Sequence, residues 1–385
     1  MPSASKTNIL FISHEDSLTG APILLLNLLD CIQDIPQLQV RILIKNLRGK
    51  LYPEFQKRGI TNFLNDFRPV RYHFNSSYFS KIPRFIEKKI RHFKIQNALN
   101  HSEWIFLNTI TLGDLLKTFR LKPHHKILSY IHELQWAREN FTNKEDSYCQ
   151  IHNSHHILVP SQAVKFYLEN DFKVPPSRIV LFPYYIPPIH KAERPIKSNP
   201  GIFTVGMMGS FDGRKGADLI PKLLINLFKH YPEAPIRFLW KGVQQDSPLL
   251  LEIKDELQKL GLIEKIEFLN PSPDISDFYQ ELDVFLSLSR EDPYPLVVLE
   301  AAQFGIPGIC FENSGGAQEF IENCGSIIPF LDLDALSKEI YRYFTDKGLL
   351  REKGGQAYEK WKRLHGDKNR IKSLFITLME ELHKS

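Results

Sequence analysis

Short apolar runs rich in β-branched and aromatic residues alternate along the chain with longer stretches of helical periodicity. That is the βαβα pattern of a parallel α/β architecture. In the first half, Asn8–Ser13, Gln39–Ile44, Trp104–Leu107, Ile127–His132, Ile157–Pro160 and Ile179–Phe182 predict strands. In the second, Phe203–Met208, Ile236–Trp240, Ile266–Leu269, Val284–Leu288 and Gly308–Phe311 repeat the pattern. Each run is mostly apolar throughout, as strands covered on both faces must be. Between the two sets lies FPYYIPPIHKAERPIKSNP (182–200), whose five prolines withhold ladder donors and stiffen the backbone, so it reads as a linker. The expected architecture is α/β, with two Rossmann-like doubly wound domains facing a cleft. The expected domains are residues 1–185 and 201–365, with a linker at 186–200 and a last helix at 366–385 packing back on them. That helix spaces Ile371, Leu374, Phe375, Leu378 and Leu382 along one face.

Composition narrows the class. The chain has 385 residues, 43% hydrophobic and 24% charged, which excludes disordered, collagen-like and coiled-coil proteins. No apolar run approaches the roughly 18 residues of a membrane span, and the best, Ala21–Leu29, is broken by Asn27. MPSASKTNILFISHED shows no signal-peptide pattern. Cys31, Cys149, Cys310 and Cys324 lie far apart and read as buried thiols of a reduced compartment. A cytoplasmic chain is expected. Charge is unevenly divided, with 27 Lys+Arg against 16 Asp+Glu in residues 1–200 and 22 against 28 beyond. A basic first half suits an anionic partner. The helical stretch Lys81–Leu99 sets Phe85, Ile86, Ile90 and Phe93 near one face, with Lys88, Lys89, Arg91 and Lys94 around it. Two readings stand: a packed helix with a solvated basic face, or a helix lying on an anionic bilayer.

Three segments could carry chemistry. In ISHEDSLTGAP, Gly20 and Ala21 remove bulk at a helix start, where backbone N–H groups favour anions. Taken alone, a tight turn explains this segment better than ligand binding does. It is neither G-x-G-x-x-G nor a Walker loop. In GMMGSFDGRKGADLI, Arg214 and Lys215 stand just before a helix start, a poor place for cations unless an anion also lies there. A phosphate-bearing ligand resolves the conflict; two solvated charges on a turn are the alternative. In SLSREDPYPLVVLEAAQFG, Asp292 follows a strand end and Glu300 sits within an otherwise apolar helix. A carboxylate there needs hydrogen-bonding partners, such as ligand hydroxyls, whereas Asp292 alone could be a helix cap. His132 and Glu133 stand at another strand end, although a lone histidine is more often structural. Asp332 and Asp334 open a helical run and read as caps, and no metal constellation is evident.

Taken in order, SHEDSLTGAP, YIHE (130–133), ILVPSQAV (157–164), MMGSFDGRKGADL (207–219), EFLNPSPDISDFYQELDVFLSLSRE (267–291), DPYPLVVLEAAQFGIPGI (292–309) and SGGAQEF (314–320) resemble the GT-B glycosyltransferases of family 4 over nearly the whole chain. The resemblance implies a retaining, metal-independent transferase moving a hexose from a UDP- or GDP-sugar to a glycan or lipid-linked acceptor in polysaccharide or cell-surface glycan biosynthesis. Gly20 and Ala21 would face the donor diphosphate or sugar, and His132 would approach the sugar. Lys215 would contact the diphosphate, Glu300 the ribose, and Asp292 the sugar hydroxyls. Leu296 and Val297 would offer backbone N–H groups to the phosphates, and Phe268, Leu269 and Asn270 would lie near the base.

His132, Lys215 and Asp292 are the implied catalytic residues. Ser210, where relatives place arginine, and Arg214 complete the donor set. Asp292 in place of glutamate and Pro295 in place of glycine are further departures from the family. The expected location is cytoplasmic, peripheral at the inner membrane face through Lys88, Lys89, Arg91 and Lys94, with no nucleic-acid partner. The alternatives are a sugar-nucleotide epimerase or hydrolase on the same fold, and a non-catalytic glycan- or membrane-binding protein.

Overall fold

The computed structural model describes residues 6–66, 84–189, 201–272 and 274–384, and the predicted linker lies outside them from residue 190 onward. The chain divides into two compact units, Met1–Tyr185 with Lys368–Ser385, and Ile186–Asp367.

The first unit is built on β1 (Thr7–Glu15), β2 (Leu38–Leu47), β3 (Ile60–Asp66), β4 (Trp104–Asn108), β5 (Lys126–Tyr130), β6 (His156–Val159) and β7 (Ile179–Leu181). All pairs are parallel, in the order β3-β2-β1-β4-β5-β6-β7. The second unit repeats the plan with β8 (Phe203–Met208), β9 (Ile236–Lys241), β10 (Ile266–Leu269), β11 (Val284–Ser287), β12 (Gly308–Phe311) and β13 (Gly325–Ile328), ordered β10-β9-β8-β11-β12-β13. In both sheets the winding reverses beside the first strand, between β1 and β4 and between β8 and β11. Ligands of open α/β sheets bind outside the strands' carboxyl ends at such reversals.

Two strands escape the sequence pattern. β3, ITNFLND, is an edge strand of partly exposed residues interspersed with Asn and Asp. β13, GSII, is a short edge strand containing one buried residue. Edge strands need no continuous apolar run, because they are incompletely covered. The central strands do: β4 is buried at all five positions, and Phe203, Val205 and Met207 of β8 enter one core with Leu223, Leu227 and Leu286.

The last helix, Lys368–Lys384, belongs to the first unit and packs against the helix Gly20–Ile32. Ile371, Phe375, Leu378 and Leu382 are buried, and Lys372 pairs with Asp34 at 2.9 Å. The basic helix runs Arg84–Asn100, and residues 81–83 of the predicted stretch lie outside the described residues. Among its described side chains Ile95, Ala98 and Leu99 are buried, whereas Ile90 and Phe93, expected on an apolar face, are 44% and 73% exposed; the side chains of Phe85 and Ile86, expected on the same face, lie outside the described ones. Lys88, Lys89 and Lys94 are exposed too. Arg91 differs: it donates to Leu64 O at 2.9 Å and lies over the Phe63 ring at 4.7 Å. Cys149, expected to be buried, is only partly so, since it lies on a helix near the surface. No helix among the described residues is long and apolar enough to cross a membrane.

Candidate active site

The turn after β8 is organised by Asp212. Its carboxylate accepts from Ser210 Oγ at 2.7 Å and from Lys215 N at 2.9 Å, and its carbonyl accepts from Ala217 N at 3.1 Å. Gly216 has φ 79°, and a Cβ there would lie 2.3 Å from Leu288 O, so glycine lets the turn close against the end of β11. Arg290 N donates to Arg214 O at 2.8 Å, and Arg214 Nη1 donates to Glu291 O at 3.0 Å. Arg290 also grips Asp218 through two hydrogen bonds at 2.7 and 2.8 Å. The loops after β8 and β11 are thereby fastened together across the sheet reversal.

Lys215 and Asp292 meet at this junction. Lys215 Nζ is hydrogen-bonded to Asp292 Oδ2, and both flank a shallow recess whose walls include Met207, Trp240, Ser289 and Val297. Asp292 is 5% exposed and is fixed through its backbone as well. Its N donates to Ser314 O at 2.7 Å, and its carbonyl accepts from Gly316 N at 2.9 Å. The intervening Gly315 has φ 116° and admits no Cβ, which would lie 2.0 Å from Asp292 O. The capping alternative for Asp292 therefore fails: the helix Leu296–Gln303 has Pro295 at its N-cap position and no side-chain cap. That helix start, with no acidic residue in its first turn, directs the N–H dipoles of Leu296 and Val297 outward. Asp332 does cap its helix, accepting from Ala335 N at 2.9 Å.

One turn further on, Glu300 Oε2 accepts from the buried Tyr279 hydroxyl at 2.8 Å. Burial raises the Glu300 carboxyl above its usual range, and the phenol opposes that rise. Nothing around Tyr279 in the sequence marks it; only the fold brings it beneath Glu300. Of the remaining donor candidates, Phe268 packs edge-on against Phe211 at 5.5 Å, Leu269 O accepts from Gly242 N and Val243 N at 3.0 Å, and Asn270 is exposed beyond β10.

In the first unit, β5 ends at Tyr130, and His132 lies two residues beyond rather than closing the strand. It is 8% exposed, with Nε2 2.8 Å from Asn108 Oδ1 and Nδ1 3.0 Å from the Tyr184 hydroxyl. Asn108 Nδ2 donates to Ala21 O at 2.8 Å, so Nε2 carries the imidazole proton in this network and Tyr184 donates to Nδ1. Burial pulls His132 down to about 3, with nearby His14 adding to the effect, so the ring is neutral. Asn108 and Tyr184 were not legible as site residues: one ends a strand, and the other lies in the proline-rich stretch. Gly20 is exposed at the start of the helix Gly20–Ile32, which carries no side-chain cap. The candidates therefore form two clusters, one per unit: Gly20, Ala21 and His132 in the first, and Ser210, Arg214, Lys215, Asp292, Leu296, Val297 and Glu300 in the second.

Two parallel sheets of this order, each with its cluster at the strands' carboxyl ends, define the fold of the GT-B glycosyltransferases. Residues 189–361, nearly all of the second unit, match the family described as Glycosyl transferases group 1. An uncharacterized glycosyltransferase of Haemophilus influenzae is 27% identical over 178 residues, which is 43% of this chain and 48% of that one. The lipopolysaccharide core biosynthesis mannosyltransferase LpcC of Rhizobium leguminosarum bv. viciae is 27% identical over 160 residues, 41% of this chain and 45% of its own. The chain thus spans about half the length of these curated relatives. Crystalline Anabaena HepE in complex with UDP shares the fold with a TM-score of 0.76 at 15% identity, over 97% of this chain and 100% of that one.

Proposed function

We propose that this chain is a retaining, metal-independent glycosyltransferase that moves a hexose from a UDP- or GDP-sugar to a glycan or lipid-linked acceptor in polysaccharide or cell-surface glycan biosynthesis. The observation that carries the reading is the placement of Lys215, Asp292 and Glu300 around one sheet reversal, beside an uncapped helix start. When the sugar–phosphate bond breaks, negative charge grows on the leaving diphosphate. Lys215 and the N–H groups of Leu296 and Val297 are preorganised cations and dipoles suited to receive it. Ligand phosphate would draw Lys215 away from Asp292, freeing the carboxylate for the sugar hydroxyls. Glu300, steadied by Tyr279, would hold the ribose. Similarity to the retaining family supports same-face attack, with the departing phosphate taking the acceptor proton.

The test is a thermal-shift screen of UDP, GDP and their sugar conjugates on the whole chain, beside Lys215→Ala and Glu300→Ala. A ligand that binds only the folded state adds about 2.7 kcal/mol of stability at one hundred times its Kd. The expected result is a shift with one nucleotide family, lost in both variants. Transfer should persist in EDTA, and the product should keep the donor's anomeric configuration by NMR. A wild type that neither shifts nor transfers would sink the reading.

The basic helix belongs to the same proposal. Exposed Ile90 and Phe93 among Lys88, Lys89 and Lys94 suit peripheral binding to an anionic membrane at its cytoplasmic face. Sedimentation with phosphatidylglycerol vesicles should fall when those three lysines become Gln, and indifference to lipid charge would refute the attachment.

A further inference from the structure

The turn that follows β4 is strained and is held from outside. Thr109, directly after the strand, has φ 143° and ψ 166°, a region that a β-branched residue enters only at a cost. Such a conformation persists only where its surroundings over-determine it. Here the restraint comes from the helix Lys144–Asn153 through Gln150, which is fully buried. Gln150 Nε2 donates to Thr109 O at 2.5 Å and to Ser129 Oγ at 3.2 Å, and its Oε1 accepts from Leu112 N at 2.9 Å. The amide thus spans both ends of the single turn Ile110–Leu112. Its orientation is fixed by these partners, because Thr109 O can only accept and Leu112 N can only donate. Ser129 Oγ lies 2.7 Å from Ser154 Oγ, which donates to Gln150 O at 2.8 Å and closes a buried ring of polar groups. Gly113 lets the helix come this near, since a Cβ there would lie 1.8 Å from Asp146 O.

The residues on either side of Thr109 both reach His132. Asn108 holds the ring, with its Oδ1 2.8 Å from Nε2. Ile110 holds the backbone through a shared carboxylate: Glu133 Oε2 accepts from Ile110 N at 3.1 Å and from His132 N at 2.9 Å. Relaxation of Thr109 to the ordinary extended region, φ about −120°, would turn the chain through roughly 100° and carry Ile110 N away from Glu133. Both attachments therefore depend on one backbone angle.

We infer that Gln150 is a positioning residue for His132: it holds Thr109 in its twisted conformation, so that Asn108 and Ile110 fix the ring and the backbone of His132 together. The inference rests on the glycosyltransferase reading, in which His132 approaches the donor sugar, but the clamp has a readout of its own. Gln150→Met fills the same space without polar atoms. Gln150→Glu keeps the acceptor for Leu112 N and loses the donor to Thr109 O, and it stands in for Gln150→Met if that variant does not fold. Thr109→Gly removes the strain, since this backbone region is one that glycine alone adopts readily.

The clamp is read first without substrate, from the ring-nitrogen NMR signals of His132 in the whole chain, assigned with His132→Gln. Wild type should show a neutral ring protonated on Nε2. In Gln150→Met the two nitrogen shifts should draw together as the tautomers mix, and adding Thr109→Gly should restore the wild-type pattern. Transfer should follow: kcat falls about tenfold in Gln150→Met, the value of one hydrogen bond, and recovers in the double variant. Donor KM and the nucleotide-induced thermal shift should stay unchanged throughout. A merely structural amide would lower the melting temperature and leave the His132 signals and kcat alone. That result, or a defect as large with Thr109→Gly as without it, overturns the inference. A wild type with the Nε2 proton in place but no transfer would instead strike at the transferase reading and leave the clamp standing.

Discussion

Tyr279 is the sole hydrogen-bond donor to Glu300 among the described residues, so the ionisation of Glu300 depends on a phenol that sequence alone does not reveal. Tyr279→Phe removes that donor and should raise the Glu300 carboxyl further. Nucleotide affinity should fall by about 1–3 kcal/mol, and the loss should be larger at pH 6 than at pH 8, as isothermal titration would show. Glu133 gives a second pH signature. Its folded value of about 7 lies above its ordinary 4.5, so the folded state holds the proton more tightly. The stability this contributes is complete below about pH 4.5 and is lost as pH rises through about 7. Glu133→Gln should therefore flatten the decline in melting temperature between pH 5 and pH 8. A decline as steep as that of wild type would show that another group titrates there. His132 has the opposite sign: burial holds it near 3, so the stability of its neutral state is present above pH 6.5 and erodes as pH falls toward 3.

At the scale of elements, what the sequence discloses follows burial. Central strands are covered on both sides and announce themselves as apolar runs; edge strands β3 and β13 do not. The donor-side candidates Lys215 and Glu300 stand out because each breaks a local expectation, a cation before a helix start and a carboxylate within an apolar helix, whereas Asp292 lies in a polar turn and enters through the family resemblance. Their supports do not stand out. Arg290, Asn108 and Tyr184 act through partners distant in sequence, and no local pattern encodes those pairings. The basic helix shows the same limit of local pattern. Periodicity identifies a face, but the packing partner decides which face is buried, and here it is Ile95, Ala98 and Leu99. The glycine-rich SGG turn yields a direct test. Gly315→Ala must relieve a Cβ contact of 2.0 Å at φ 116°, so about 1–3 kcal/mol of strain is expected before the clash itself is counted. Urea denaturation should show a lower midpoint, together with weaker nucleotide binding as Asp292 shifts.

For the whole molecule, the two units repeat one winding but differ in their completeness. The second is a continuous segment, Ile186–Asp367, whereas the first takes its closing helix from the end of the chain. Ile371, Phe375, Leu378 and Leu382 are buried there, and each such side chain contributes about 1.5–3 kcal/mol. Truncation after Asp367 should therefore lower the melting of the first unit, seen as a separate early transition in calorimetry. The nucleotide-induced shift of the second unit should survive. A single unchanged transition would show that the helix contributes little.

The discontinuity also orders the chain's assembly in time. A ribosome releases residues 1–185 first, but the helix that covers the surface of Gly20–Ile32 emerges only after the whole second unit has been made. At about 5–20 residues per second, the first unit carries an uncovered apolar surface for roughly ten seconds or longer. Only at the end of that interval does the second unit have all of its own sequence. The docking of the last helix is thus the step that completes the first unit.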